Sequence, residues 1–145
     1  MSRGQLLAAI PFSNTVVLRE YTGRQLLAAL EHGVAGEGGK GPALLQTAGL
    51  RYTVDATRPA GSRIVSADIV SSGGKASPLA AEERYRVVLP AYLARGGDGY
   101  GMLREGRALP LEAMTDVELA EAYLAAQSPL KRMPRGRIRW TTASE

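Results

Sequence analysis

The spacing of apolar positions predicts helices in two well-marked stretches of the chain. Thr22 and Gln25 have the spacing of a helix capping box, in which a side chain and a backbone N–H are satisfied reciprocally. Apolar residues follow at helical spacing, so we expect a helix that is closed by a left-handed glycine, Gly33. Thr115 and Glu118 repeat the capping-box spacing and predict a last helix.

Strands are predicted where apolar and polar residues alternate, or where β-branched residues cluster. These stretches are 15–21, 50–54, 65–69, 85–89 and 138–140. The second and third are separated by a Pro- and Gly-containing turn and suit an antiparallel pair. Because helices are interspersed with adjacent strand pairs, the pattern predicts a mixed α+β fold and not a regular βαβ winding.

Length and composition favour one compact domain over residues 1–145, since 145 residues with 45% hydrophobic content can bury a core. No apolar run approaches the roughly 20 residues that span a bilayer, and the N-terminus shows no secretion signal, so we expect no membrane partner. With no cysteine and a single histidine, His32, the chain lacks the ligands for a dinuclear metal site. We expect His32 to be a surface residue near a helix end.

The net charge is +4, and basic residues concentrate near the C-terminus. They are Lys131, Arg132, Arg135, Arg137 and Arg139. A solvated chain end is the favoured interpretation, because Trp140 is the one aromatic residue among them. We therefore do not expect nucleic-acid binding, which would show a steep loss of affinity with added salt.

The segment Pro-Ala-Tyr-Leu-Ala-Arg-Gly-Gly-Asp-Gly-Tyr, residues 90–100, carries the strongest candidate chemistry. Glycines beside Asp98 allow a ligand to approach the backbone, and the carboxylate suits a pair of vicinal hydroxyls. Tyr92 provides a ring on which a base could stack. The alternative, which composition alone favours, is a Gly-Asp-Gly turn with Tyr92 and Tyr100 in the core.

Several motifs in one order resemble the C-terminal domain of 5'-nucleotidases and UDP-sugar hydrolases. The resemblance covers nearly the whole chain and rests on 11–15 (Pro-Phe-Ser-Asn-Thr), 21–23 (Tyr-Thr-Gly), 45–50 (Leu-Gln-Thr-Ala-Gly-Leu), 85–88 (Tyr-Arg-Val-Val), the 92–100 segment and 136–138 (Gly-Arg-Ile). It implies a layered α/β/β/α-type domain with a mixed sheet.

The resemblance also implies a substrate site, in which two aromatic rings of the family sandwich a base. Tyr92 matches the second ring, whereas Leu44 stands at the first, so one wall is aliphatic. Asp98 matches the carboxylate that binds the ribose hydroxyls, and Gly96 and Gly97 match the turn that shapes the pocket. The implied ligand is a nucleoside or nucleotide.

In the family, an N-terminal metallophosphatase domain holds two divalent metal ions and hydrolyses the phosphate ester. We therefore expect no cofactor in this chain, no catalysis by it alone, and a metallophosphatase domain in cis as its partner. The family carries a segment resembling Asn-Gly-Gly-Gly-Ile-Arg just upstream of the Pro-Phe motif, and we expect this segment to be missing from residues 1–145. The full-length enzyme would be periplasmic or extracellular. The alternative is a non-catalytic remnant that binds another protein.

Overall fold

The computed structural model describes residues 3–39, 41, 43–127 and 135–141. Its α-helices are α1 (Arg3–Ala9), α2 (Gly23–Gly33), α3 (Ala91–Ala94) and α4 (Asp116–Ala126). Its strands are β1 (Val16–Thr22), β2 (Leu50–Val54), β3 (Ile64–Val70), β4 (Ala76–Pro78), β5 (Arg84–Pro90), β6 (Arg107–Leu109) and β7 (Ile138–Trp140). Three short 3-10 turns lie at Glu37–Gly39, Gly97–Gly99 and Gly101–Glu105. None of the helices described is of the length and apolarity that crossing a membrane requires.

The strands form two sheets, which confirms the predicted mixed α+β class. The three-stranded sheet has the order β5-β1-β6 and is antiparallel. The four-stranded sheet has the order β4-β3-β2-β7, and it is mixed because β7 runs parallel to β2. All five predicted strands are present, and the predicted β2–β3 pair is antiparallel. The three-residue strands β4 and β6 were not predicted, since so few residues show no period.

Helix α2 connects the two hydrophobic clusters of the fold. Its Ala29 belongs to a cluster that also contains Tyr21 and Leu89 of the three-stranded sheet. Its neighbour Leu30 belongs to a second cluster with Tyr52 of the four-stranded sheet. The C-terminal half of α2 therefore packs against side chains from both sheets, and this close packing makes its position in the fold rigid.

The two ends of α2 differ in how well the sequence predicted them. At the start, the Thr22 hydroxyl accepts the Gln25 N–H while the Gln25 side chain accepts the Thr22 N–H, which confirms the capping box. At the other end, the prediction of a left-handed Gly33 is wrong. The helix does end at Gly33, but the backbone of Gly33 has no positive φ, and the C-cap is Val34 with a φ of −108°. A Cβ at Gly33 would lie 2.9 Å from the Tyr100 hydroxyl oxygen, so glycine is required there for space.

Candidate functional site

The candidate site lies in the turn that follows β5 and the short helix α3. Gly96 enters the turn with a φ of 88°, and Asp98 has φ 52° and ψ 28°. A residue other than glycine is uncommon in this left-handed region, although Asp tolerates it better than most. Strained backbone of this kind persists where surrounding contacts hold it, and it concentrates at functional sites. The side chain of Asp98 is exposed.

Tyr92 and Asp98 lie side by side on the surface. The Tyr92 side chain is 48% exposed, and its hydroxyl donates to Asp98 Oδ1 at 3.0 Å. The same hydroxyl accepts the Asp98 backbone N–H at 3.3 Å. A Cβ at Gly97 would overlap the Tyr92 ring, so this glycine lets the ring lie against the turn. The alternative that places Tyr92 in the core is therefore wrong, whereas Tyr100, 1% exposed, is a core residue.

His32 supports this turn from α2. Its Nε2 lies 2.8 Å from the backbone carbonyl oxygen of Asp98. Because a carbonyl oxygen only accepts, Nε2 must carry the hydrogen. The imidazole also meets the ring of Tyr100 edge-on, with centroids 4.6 Å apart and planes at 75°. The prediction of His32 as an ordinary surface residue missed this contact, which joins residues 66 positions apart.

Tyr100 ties the turn to the segment that contains Leu44. Its hydroxyl donates to the carbonyl oxygen of Ala43. Leu44 itself is half-buried and packs against the second hydrophobic cluster, which contains Leu30 and Tyr52. The structure thus brings Tyr92, Asp98 and Gly97 together directly. The role of Leu44 as the wall opposite Tyr92 stays a prediction.

Two buried tyrosines near the site have perturbed ionisation. Burial, with a smaller contribution from the Asp98 charge, raises the pKa of Tyr100 to about 12. Burial, with a smaller contribution from Tyr100, raises the pKa of Tyr52 to about 12. In both cases the fold favours the neutral phenol, because a phenolate would lose its hydration there.

These shifts predict a loss of stability in alkali. A pKa raised in the folded state contributes stability that is complete below the ordinary value of 10.0 and is lost as pH rises through about 12. We expect the free energy of unfolding, measured by urea denaturation, to fall across this window. Tyr100→Phe removes one of the buried tyrosines with a raised pKa and should make the fall less steep. An equal slope in both proteins would contradict the assignment.

The other candidate groups are the possible metal ligands and the basic residues near the C-terminus. Within residues 3–39, 41, 43–127 and 135–141, no three His, Asp or Glu side chains converge as metal ligands. Of the basic tail, Lys131 and Arg132 lie outside the described residues. Arg137 donates to the Thr47 carbonyl oxygen at 3.1 Å, so it is a structural cation. Arg139 lines a cleft of about 100 Å³ on the four-stranded sheet.

The chain is similar in sequence to a family of known domains and to proteins that contain such a domain. Residues 1–105 match the family model described as 5'-nucleotidase, C-terminal domain. An apyrase of Tabanus yao is 36% identical over 141 residues, which are 93% of this chain and 26% of that protein. A snake venom 5'-nucleotidase of Gloydius brevicauda is 31% identical over 137 residues, 92% of this chain and 23% of that protein.

A solved structure shows the same fold. The crystal structure of the 5'-nucleotidase precursor from Thermus thermophilus superposes with a TM-score of 0.89 at 35% identity, covering 99% of this chain and 28% of that one. The chain therefore spans about a quarter of the length of the proteins that it matches.

Proposed function

Since the chain belongs to the family of 5'-nucleotidase C-terminal domains, we propose that it binds the nucleoside part of a nucleotide through Tyr92 and Asp98. One observation carries the proposal. An exposed aromatic ring and a carboxylate are fixed next to each other on an outward turn, with 3.0 Å between the Tyr92 hydroxyl oxygen and Asp98 Oδ1.

The chemistry of the pair suits a nucleoside. A base stacks on an aromatic face with about 1–3 kcal/mol. An ionised carboxylate has about four acceptor positions, and the Tyr92 hydroxyl takes one of them. Enough acceptor capacity remains for the two vicinal hydroxyls of a ribose. Gly96 and Gly97 shape the turn, and the proposed pocket is completed by Leu44.

The whole enzyme, in this proposal, hydrolyses the phosphate ester of nucleotides. A metallophosphatase domain in cis would hold two divalent metal ions, and this domain would position the substrate against them. Correct placement of reacting groups contributes several kcal/mol to catalysis. The venom origin in the name of one relative supports a place outside the cytoplasm, either periplasmic or extracellular.

Calorimetry on the chain tests the proposal, with adenosine and uridine as purine and pyrimidine ligands. Tyr92→Ala is expected to weaken binding about 5- to 150-fold, the equivalent of about 1–3 kcal/mol. Gly97→Ala should also weaken binding, because its new Cβ displaces the ring. Gly101→Ala is the matched control, since its Cβ would meet nothing within 4 Å. Equal affinity in all four proteins would remove Tyr92 from the site.

A substitution at Leu44 tests the opposite wall. Leu44→Phe would provide a second ring, and paired aromatic rings gain about 0.5–1.5 kcal/mol beyond their burial. We expect adenosine to bind about 2- to 12-fold more tightly, as measured by calorimetry. Unchanged affinity in a variant that is as stable as the wild type would place Leu44 outside the site.

The second candidate function is a remnant domain that binds a protein partner. It is motivated by Leu44, which replaces an aromatic wall. This alternative predicts no nucleoside binding by the wild-type chain and an oligomer whose population rises with concentration in sedimentation.

A further inference from the structure

We propose that His32 is a positioning residue of the nucleoside site, which orients Asp98 for the ribose hydroxyls without touching the ligand. This inference rests on the proposed function of Asp98. The contact that carries it is the 2.8 Å approach of His32 Nε2 to the Asp98 backbone oxygen.

The Asp98 turn needs outside support. Its backbone is left-handed at a residue that has a Cβ, and it forms only one short 3-10 turn between glycines. Side chains contact both polar groups of the Asp98 backbone. The Tyr92 hydroxyl accepts the N–H at 3.3 Å, and the His32 imidazole donates to the carbonyl oxygen at 2.8 Å.

The two supports differ in where they come from. Tyr92 precedes Asp98 by six residues, and in the proposed site its ring contacts the base. Any adjustment of that ring to a ligand therefore changes its bonds to Asp98. His32 comes from α2, which both hydrophobic clusters hold in place through Ala29 and Leu30. His32 is thus the support that stays fixed while the ligand binds.

The imidazole is itself held closely. The edge of its ring meets the buried Tyr100 ring at a centroid distance of 4.6 Å. A Cβ at Gly99 would lie 2.9 Å from His32 Cε1, so the turn lies directly against the imidazole. Gly33, next to His32, leaves room for the Tyr100 hydroxyl. The His32 imidazole is thus held with Nε2 directed at the Asp98 carbonyl oxygen. A hydrogen bond donated in this position restrains the backbone of the turn.

A positioning role for His32 predicts an effect on how strongly the site recognises the ribose hydroxyls of its ligand. If His32 sets the direction of the Asp98 carboxylate, its loss should reduce recognition of the ribose hydroxyls while base stacking on Tyr92 persists. A residue that served only stability would reduce both parts of the binding equally. The ratio of affinities for adenosine and 2',3'-dideoxyadenosine separates these two effects.

The experiment measures that ratio by calorimetry for the wild type, His32→Leu and His32→Gln. The wild type should prefer adenosine by about tenfold or more, as expected for hydroxyls bound by a carboxylate. In His32→Leu we expect the preference to fall to about threefold or less, with dideoxyadenosine affinity kept within about twofold. His32→Gln should recover most of the preference, because the Gln amide can also donate to the carbonyl.

Other results would contradict either the positioning role of His32 or the proposed function as well. An unchanged ratio in His32→Leu, or an equal loss for both ligands, would overturn the positioning role while leaving the proposed function intact. A wild type that binds neither nucleoside would overturn the proposed function and this inference with it. Nitrogen NMR of His32 adds a ligand-free readout, in which a hydrogen on Nδ1 alone would contradict the proposed bond. Thermal unfolding of each variant confirms that folded proteins are compared.

Discussion

Tyr21→Ala is expected to lower the free energy of unfolding by about 3–5 kcal/mol, the range found when a large buried ring is removed. Tyr21 is fully buried in the three-stranded sheet, and its hydroxyl donates to the Leu103 carbonyl oxygen at 2.9 Å. A Cβ at Gly106 would overlap the ring, so the ring fills the space beside that glycine. A loss of this size is a large fraction of the stability of a typical domain, about 5–15 kcal/mol.

Urea denaturation measures this loss, and Tyr21→Phe separates its two components. The Phe variant keeps the ring and loses only the hydrogen bond, so we expect about 1 kcal/mol. If Tyr21→Ala lost no more stability than Tyr21→Phe, packing of the Tyr21 ring would not contribute to the stability of the cluster that it forms with Ala29 and Leu89.

Asp98→Asn is expected to weaken adenosine binding about 10- to 150-fold, the equivalent of about 1.5–3 kcal/mol for hydrogen bonds to a charged group. Asn tolerates the left-handed backbone and keeps the shape of the side chain, so the turn should persist. Its carbonyl oxygen can still accept the Tyr92 hydroxyl, which in the wild type reaches Asp98 Oδ1 at 3.0 Å. The variant therefore changes the charge and little else.

Calorimetry with adenine alone is the control for this variant. Free adenine has no ribose, so its affinity should be nearly equal in the wild type and Asp98→Asn. A parallel loss for adenine and adenosine would mean that the substitution disturbs the stacking surface. Undiminished adenosine affinity would exclude Asp98 as the ribose ligand.

Much of the fold could be predicted because periodic patterns are local. The capping boxes at Thr22 and Thr115 are confirmed by their reciprocal hydrogen bonds, and five strands lie where alternation or clustered apolar and β-branched residues predicted them. The error at Gly33 has a physical origin. A glycine at the end of a helical pattern commonly marks a left-handed cap, but here it leaves space for Tyr100, which lies far along the chain.

The candidate site, like the fold, has one part that local sequence predicted and another that it could not predict. Tyr92 and Asp98 are six residues apart, so one short segment brings them together, although their hydrogen bond was not predicted. The contacts of His32 with Asp98 and of Tyr100 with Ala43 span 66 and 57 residues. Nothing in a single sequence pairs residues so distant, because those contacts depend on how separate segments pack against each other in the folded domain.

A crystal structure of the chain with adenosine would decide whether Tyr92 and Asp98 form the nucleoside site. We expect the adenine ring to stack on the exposed face of Tyr92, with both ribose hydroxyls within hydrogen-bond distance of the Asp98 carboxylate. We also expect His32 Nε2 to keep its contact with the Asp98 carbonyl oxygen. Adenosine bound elsewhere on the domain, with the Asp98 carboxylate still bonded to Tyr92 and not to the ligand, would contradict the proposed site.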